Sequence, residues 1–341
     1  MTEFIATSNP GFAAYAMEEL RRRFPSVKLA GLAPGETFKL ESRTLSGAEL
    51  TKRLREDEPV FLRHLFPVDE ETEVSADAAA VAAEMVRFAS ARADRLSGAR
   101  VAVQVRKTPD SPFPFSSAEG RDAAAPALRE LGADVVPRDA DWILSVYATR
   151  SRLYLGLSEP ADNLSDWPGG APRFRREEGL ISRAAFKLLE AEQAFRLPLD
   201  RFRRALDLGA APGGWTSVLL DRGVEVTAVD PAELSPALAG RTGLRHLRMN
   251  ASAARLPPDS FDLLVCDMSW DPRHTCRIVR DLSPALAPGG SAIVTLKLMY
   301  RKPLQTIADL TNEYGTFLHV RRVKQLFHNR EEVTIWATRP T

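Results

Sequence analysis

The feature that most constrains the fold is the stretch Asp207-Leu-Gly-Ala-Ala-Pro-Gly-Gly-Trp215-Thr216, set between an apolar strand and a helical segment. Gly209, Gly213 and Gly214 let the backbone pass close to a ligand, and a helix start supplies free N–H groups. No Lys follows, so this is not the GxxxxGK[ST] phosphate loop, and it fits GxGxxG poorly. Around it, strands at 205–208, 224–229, 261–266 and 291–296 alternate with helices, and 333–338 adds a strand near the end. That rhythm predicts a Rossmann-like α/β domain, doubly wound on a mostly parallel sheet. Leu-Leu-Val-Cys and Ala-Ile-Val-Thr-Leu suit strands buried on both faces.

The chain has 341 residues, enough for two or three domains. Residues 1–75 read as an α+β module of ferredoxin-like type and 76–158 as a second α+β module. Residues 159–179, rich in Pro and Gly, read as a linker, and 180–341 form the α/β domain. Residues 1–170 carry 21 Lys and Arg against 26 Asp and Glu, and residues 171–341 carry 25 against 19. A polyanion partner is therefore expected at the second half. Cys266 and Cys276 have no His at zinc spacing, so neither a disulfide framework nor a metal site is expected. No leader pattern and no run of about 18 apolar residues appear, which predicts a cytoplasmic protein without membrane contact.

In an open α/β sheet, ligands sit beyond the carboxyl ends of the strands. Asp207 ends the first strand of the domain; it either pairs with a cationic group of a ligand or caps the helix. Asp230, at the tip of the next strand, stands where a ribose would be held. Asn250 could accept from an adenine amino group or simply occupy a turn. Lys187, Asp267, Lys297 and Glu332 each fall at a strand or helix end.

These residues resemble the FtsJ-like RNA ribose 2'-O-methyltransferases. Asp-Leu-Gly-Ala-Ala-Pro-Gly-Gly-Trp is similar to that family's S-adenosylmethionine loop, and Ser182-Arg-Ala-Ala-Phe-Lys187-Leu to its first helix. Val265-Cys-Asp267-Met, Leu296-Lys297-Leu and His328-Asn-Arg-Glu-Glu332-Val-Thr complete the likeness over 173–341. The last two are closest to the branch acting on a cytidine of large-subunit ribosomal RNA. Residues 1–157 resemble, by pattern alone, the extension and THUMP RNA-binding module of that branch. The resemblance implies S-adenosyl-L-methionine as methyl donor, becoming S-adenosyl-L-homocysteine. It implies a donor site of Asp207, Gly209, Ala210, Pro212, Gly213, Gly214, Trp215, Asp230, Asn250 and Asp267. It also implies a Lys187-Asp267-Lys297-Glu332 tetrad. Asn250 departs from the family, which usually has Asp there.

A ribose hydroxyl is a weak nucleophile, and its methylation needs in-line positioning and removal of one proton. By the resemblance, Lys297 is the base, Lys187 disfavours its charged form and positions the hydroxyl, and Asp267 and Glu332 orient the two amines. Glu332 rather than Glu331 is assigned because it directly precedes Val333.

Arg173, Arg175, Arg176, Arg183, Arg301, Lys302, Arg321, Arg322, Lys324 and Arg330 are candidate phosphate contacts. Arg100, Arg106, Lys107, Arg150 and Arg152 form a candidate patch in the first half. Phe174 and Trp270 are candidates for stacking on a base. The partner is then RNA, bound by a monomer or homodimer. A base methyltransferase on the same fold and a catalytically weak RNA-binding factor are the alternatives.

Overall fold

The computed structural model describes residues 2–174, 181–299 and 302–341, and divides into two compact units, Met1–Pro172 and Arg173–Thr341. Arg175, Arg176 and Arg301 lie outside the described residues.

The first unit holds two sheets. One runs Lys28–Ala33, Thr37–Ser42, Thr2–Thr7, His64–Pro67, with helices Ala13–Arg23 and Gly47–Glu56 as its connections. The order strand-helix-strand-strand-helix-strand is a split βαβ arrangement. The other runs Glu70–Glu73, Arg152–Ser158, Trp142–Ala148, Arg100–Lys107, Asp134–Val135. Its core gathers Phe88, Val101, Val105, Leu128, Leu144 and Val146. Helix Ser117–Glu130 starts from a capping box in which Ser116 and Glu119 each satisfy the other's backbone N–H.

The chain changes sheets between Val68, whose N–H donates to Glu3 O, and Asp69, whose N–H donates to Leu155 O. Glu70–Glu73, assigned from sequence to the first module, therefore pairs in the second sheet. The stretch read as a linker begins as packed chain. Gln104 Nε2 donates to Asp166 O at 2.8 Å, Arg63 Nε donates to Gly169 O at 2.7 Å, and Arg138 lies 3.8 Å over the Trp167 ring. Gly169 has φ +59°, and a Cβ there would come within 2.5 Å of Arg106 Nη1. The glycines and prolines here shape a strap rather than leave the chain loose.

In the second unit we number the strands β1 (Arg204–Leu208), β2 (Glu225–Val229), β3 (Leu244–Leu247), β4 (Phe261–Cys266), β5 (Leu286–Lys297), β6 (His319–Lys324) and β7 (Glu332–Thr338). The helices are α1 (Ala184–Ala194), α2 (Gly214–Asp221), α3 (Pro272–Leu282) and α4 (Pro303–Gly315). The sheet order is β3-β2-β1-β4-β5-β7-β6, with β7 alone antiparallel to its two neighbours. This is the doubly wound, mostly parallel sheet expected. Ala205, Val226, Leu263, Val265 and Ile293 are fully buried, as strands covered on both faces require. β3 and β6 were not among the expected strands; both are polar and half-exposed edges.

Because β1 to β5 run one way and β7 the other, the ends of the first five and the start of β7 share one sheet edge. Asp207, Asp230, Asn250, Asp267, Lys297 and Glu332 all fall at or just beyond that edge.

Candidate active site

Lys187 reaches the edge from α1. Its Nζ lies 3.0 Å from Asp267 Oδ1 and 2.8 Å from Glu332 Oε2, and the three side chains are only 16, 16 and 12% exposed. Burial alone would lower the Lys187 ammonium, but the charges and hydrogen bonds of Asp267 and Glu332 outweigh it and hold its affinity for the proton above the ordinary lysine range. Burial pushes the Asp267 carboxyl up, and Lys187 opposes that push. Lys297, half-buried at the end of β5, is directly opposite Glu332 in the β5–β7 register. All four tetrad residues thus meet at the edge. Both acids point to Lys187, rather than one to each amine, and Lys297 has no ion-pair partner among the described residues.

The glycine loop is built on close contacts. Gly209 (φ +72°) and Gly213 (φ +106°) take left-handed conformations that favour glycine. A Cβ on Gly214 would sit 2.2 Å from Ser182 Oγ, so glycine lets α2 start against the chain before α1. Trp215 corrects the donor-site list. Its side chain is 3% exposed and its Nε1 donates to Ala184 O at 2.7 Å, so the indole locks α2 to α1 and does not face a ligand. Ala210 is buried and Pro212 exposed. Asp230 accepts from the N–H of Ala211 at 3.0 Å and of Ala232 at 2.8 Å. These bonds fix the carboxylate while leaving acceptor capacity for a ligand hydroxyl. Asn250 is exposed, and its side chain does not cap the turn that follows.

Asp207 is a buried acid, 1% exposed, whose Oδ2 accepts from Thr216 Oγ1 at 2.6 Å, and its carboxylate also accepts from the Thr216 N–H in the first turn of α2, as the helix-cap reading expects. Thr216 was not assigned a role from sequence; its place one turn into α2 is the only signal. Burial pushes the Asp207 carboxyl up to about 7 against the Thr216 bond, with Asp267 and Asp230 adding to the push. The folded value lies above the unfolded one, so stability is present below about pH 4 and lost as pH rises through about 7. Asp207→Asn is therefore expected to be more stable than the parent above pH 7. The gain should be a few kcal/mol, since each tenfold change in proton affinity corresponds to about 1.4 kcal/mol. Its advantage should shrink steadily between about pH 7 and pH 4, as urea unfolding across that range would show. A constant difference would mean that Asp207 stays ionised throughout.

Glu190 on α1, 6% exposed, was also missed. It accepts from the N–H of Phe327 at 2.6 Å and of His328 at 2.9 Å, and pairs with His328 Nδ1 at 2.7 Å, fixing the turn that leads into Glu332. Of the candidate phosphate contacts, Lys324 is 6% exposed, and Arg322 donates to Ala194 O at 2.6 Å. Both belong to the interior side of β6. In the first unit, Arg106 binds Thr7 and Glu36, Arg100 binds Asp141 and Arg152 pairs with Glu71, so that patch is largely neutralised. Among the described residues no group of three His, Cys, Asp or Glu is placed to hold a metal ion. No helix there is long and apolar enough to cross a membrane.

Residues 180–299 match the FtsJ-like methyltransferase family. With the sheet and the edge just described, that match places the second unit among FtsJ-like methyltransferase domains. Ribosomal RNA large subunit methyltransferase M of Alkalilimnicola ehrlichii is 38% identical over 229 residues, covering 63% of this chain and 61% of that protein. The protein of the same description from Marinobacter nauticus is 32% identical, and the alignment covers 99% of each chain. The chain belongs to the ribosomal RNA large subunit methyltransferase M family. A solved structure of TrmN from Thermus thermophilus covers 99% of this chain and 100% of its own at 18% identity, with a TM-score of 0.43.

Proposed function

We propose that the protein methylates the ribose 2'-oxygen of a cytidine in large-subunit ribosomal RNA, working in the cytoplasm. The observation that carries this reading is the buried Asp267–Lys187–Glu332 triad beside an amine, Lys297, with no acid of its own among the described residues. S-adenosylmethionine, when bound, supplies an electrophilic methyl group on a cationic sulfur. The residues at hand suit such a donor: Asp230 and Asp267 offer carboxylates at the ends of β2 and β4, Gly209 and Gly213 keep the loop backbone close, and Asp207 lies buried behind them, bonded to Thr216. Asp230 would hold ribose hydroxyls. Asn250, through its amide oxygen, would accept from the adenine amino group.

Lys187, held cationic by two carboxylates, serves to orient the 2'-hydroxyl and cannot take its proton. Lys297 receives that proton as the oxygen attacks in line. Asp267 and Glu332 fix Lys187 and offset its charge. A base methyltransferase working through a cysteine nucleophile is disfavoured, because burial pushes both Cys266 and Cys276 up to about 12, far from reactive thiolates.

The test is transfer of labelled methyl from S-adenosylmethionine to deproteinised ribosomal RNA from a strain lacking the protein, followed by nucleoside analysis. Label in 2'-O-methylcytidine is the expected result. Label on a nucleobase would overturn the tetrad reading, and donor binding without label would favour a non-catalytic RNA-binding role.

A further inference from the structure

Four large apolar side chains remain exposed among the described residues: Met249 (39%), Trp270 (44%), Met299 (60%) and Phe327 (36%). None is in the first unit. All four follow strand ends or turns at the one sheet edge that carries the tetrad: Met249 after β3, Trp270 after β4, Met299 after β5, Phe327 between β6 and β7. Met249 adjoins Asn250, on the side assigned to adenine. The other three stand close in sequence to tetrad members. Trp270 is three residues after Asp267, Met299 two after Lys297 and Phe327 five before Glu332.

A single exposed apolar side chain is ordinary, but several gathered at one edge mark a binding surface. Phe327 is also held in place. Glu190 binds the N–H of Phe327, and the Phe327 ring packs edge-on against His328, with centroids 5.1 Å apart at 78°. Phe186 lies 5.3 Å from the same His328 ring. Trp270 rests on His274, centroids 5.1 Å apart. A buried carboxylate that fixes the turn carrying an exposed ring points to a platform rather than to a loose loop.

We propose that Trp270, Met299 and Phe327 receive the base of the target nucleotide, so that the protein acts on a nucleotide that is unpaired or swung out of its stack. The inference rests on the RNA methyltransferase reading and adds the form of RNA that the site takes. Its logic is geometric. A ribose in a helix presents its 2'-oxygen with the base stacked and paired, leaving no base face for an aromatic ring. A splayed nucleotide offers the hydroxyl to Lys297 and its base face to the rings together. Stacking of this kind tolerates any base, so it would position the nucleotide without choosing its sequence.

Two measurements test the platform. In methyl transfer to deproteinised ribosomal RNA, Trp270→Ala and Phe327→Ala are each expected to raise KM for RNA about tenfold, the effect of losing one stacked ring. The change in kcat should be smaller, the Kd for S-adenosylmethionine should not move, and Trp270→Phe should restore most of the loss. In the second, anisotropy of a short labelled mixed-sequence RNA, alone or annealed to its complement, should show tighter binding of the single strand. That preference should disappear in Trp270→Ala/Phe327→Ala. KM for RNA within twofold of the parent in both single variants would overturn the proposal, as would equal binding of strand and duplex by the parent. If the parent transfers no methyl group, the methyltransferase reading fails. The anisotropy measurement needs no turnover and still decides the platform on its own.

Discussion

Lys297→Ala is expected to lower methyl transfer by about a thousandfold, in the range for loss of a general base, while the Kd for S-adenosylmethionine stays within about twofold. The division of labour between the two lysines carries this. Lys187 is pinned between Asp267 and Glu332 at 3.0 and 2.8 Å, and their charges keep its proton in place. An amine held protonated can donate hydrogen bonds but cannot accept the hydroxyl proton. Lys297 has no carboxylate of its own among the described residues, yet the β5–β7 register places it beside Glu332 at the same edge. Lys297→Arg keeps a cation but cannot act as a base, so it should be as inactive as alanine. A small amine such as methylamine, added to the alanine variant, should return part of the rate by filling the vacated space with a proton acceptor. Near-normal transfer by Lys297→Ala, or full transfer by Lys297→Arg, would assign the proton to another group.

The parts of this site that sequence reveals are those written into local order. A strand, a glycine loop and a helix are contiguous, so Asp207 to Thr216 announce themselves. Asp267 and Lys297 end apolar runs and Glu332 opens one, so their place at the sheet edge follows from a parallel topology. What was hidden depends on distant pairing. Glu190 is an unremarkable helical acid until a turn some 138 residues later closes on it. The two acids of the tetrad converge on one lysine through side-chain directions that no spacing encodes. β6, His-Val-Arg-Arg-Val-Lys, shows why charge alone misleads. Its basic residues read as a phosphate-binding patch, but Lys324 turns inward, and Arg322, lowered by burial, meets the Ala194 carbonyl. Trp215 misled in the opposite sense, since it belongs to the glycine loop of the proposed donor site while its own indole is core.

Lys187→Met is expected to abolish transfer and also to destabilise the protein, by about 3 kcal/mol, since removing one partner strands the charge of the others. The loss has a definite pH dependence. In the parent, the Lys187 value is raised, so its stabilisation is complete at neutral pH and is lost only as pH climbs through the alkaline range where it finally deprotonates. In the variant, Asp267, already pushed up by burial, loses the cation that opposed the push and rises further. A carboxyl whose folded value lies above its unfolded value stabilises at low pH and stops doing so as pH rises. The gap in stability between parent and variant should therefore be small near pH 5 and widen toward pH 8. Lys187→Met/Glu332→Gln removes one of the stranded charges and should regain much of the stability at pH 8, yet remain inactive. That combination separates the two roles of the lysine. If the double variant were no more stable than Lys187→Met, the cost would come from lost packing of the lysine stem rather than from unpaired carboxylates. If it regained activity, Lys187 would not be the residue that orients the hydroxyl.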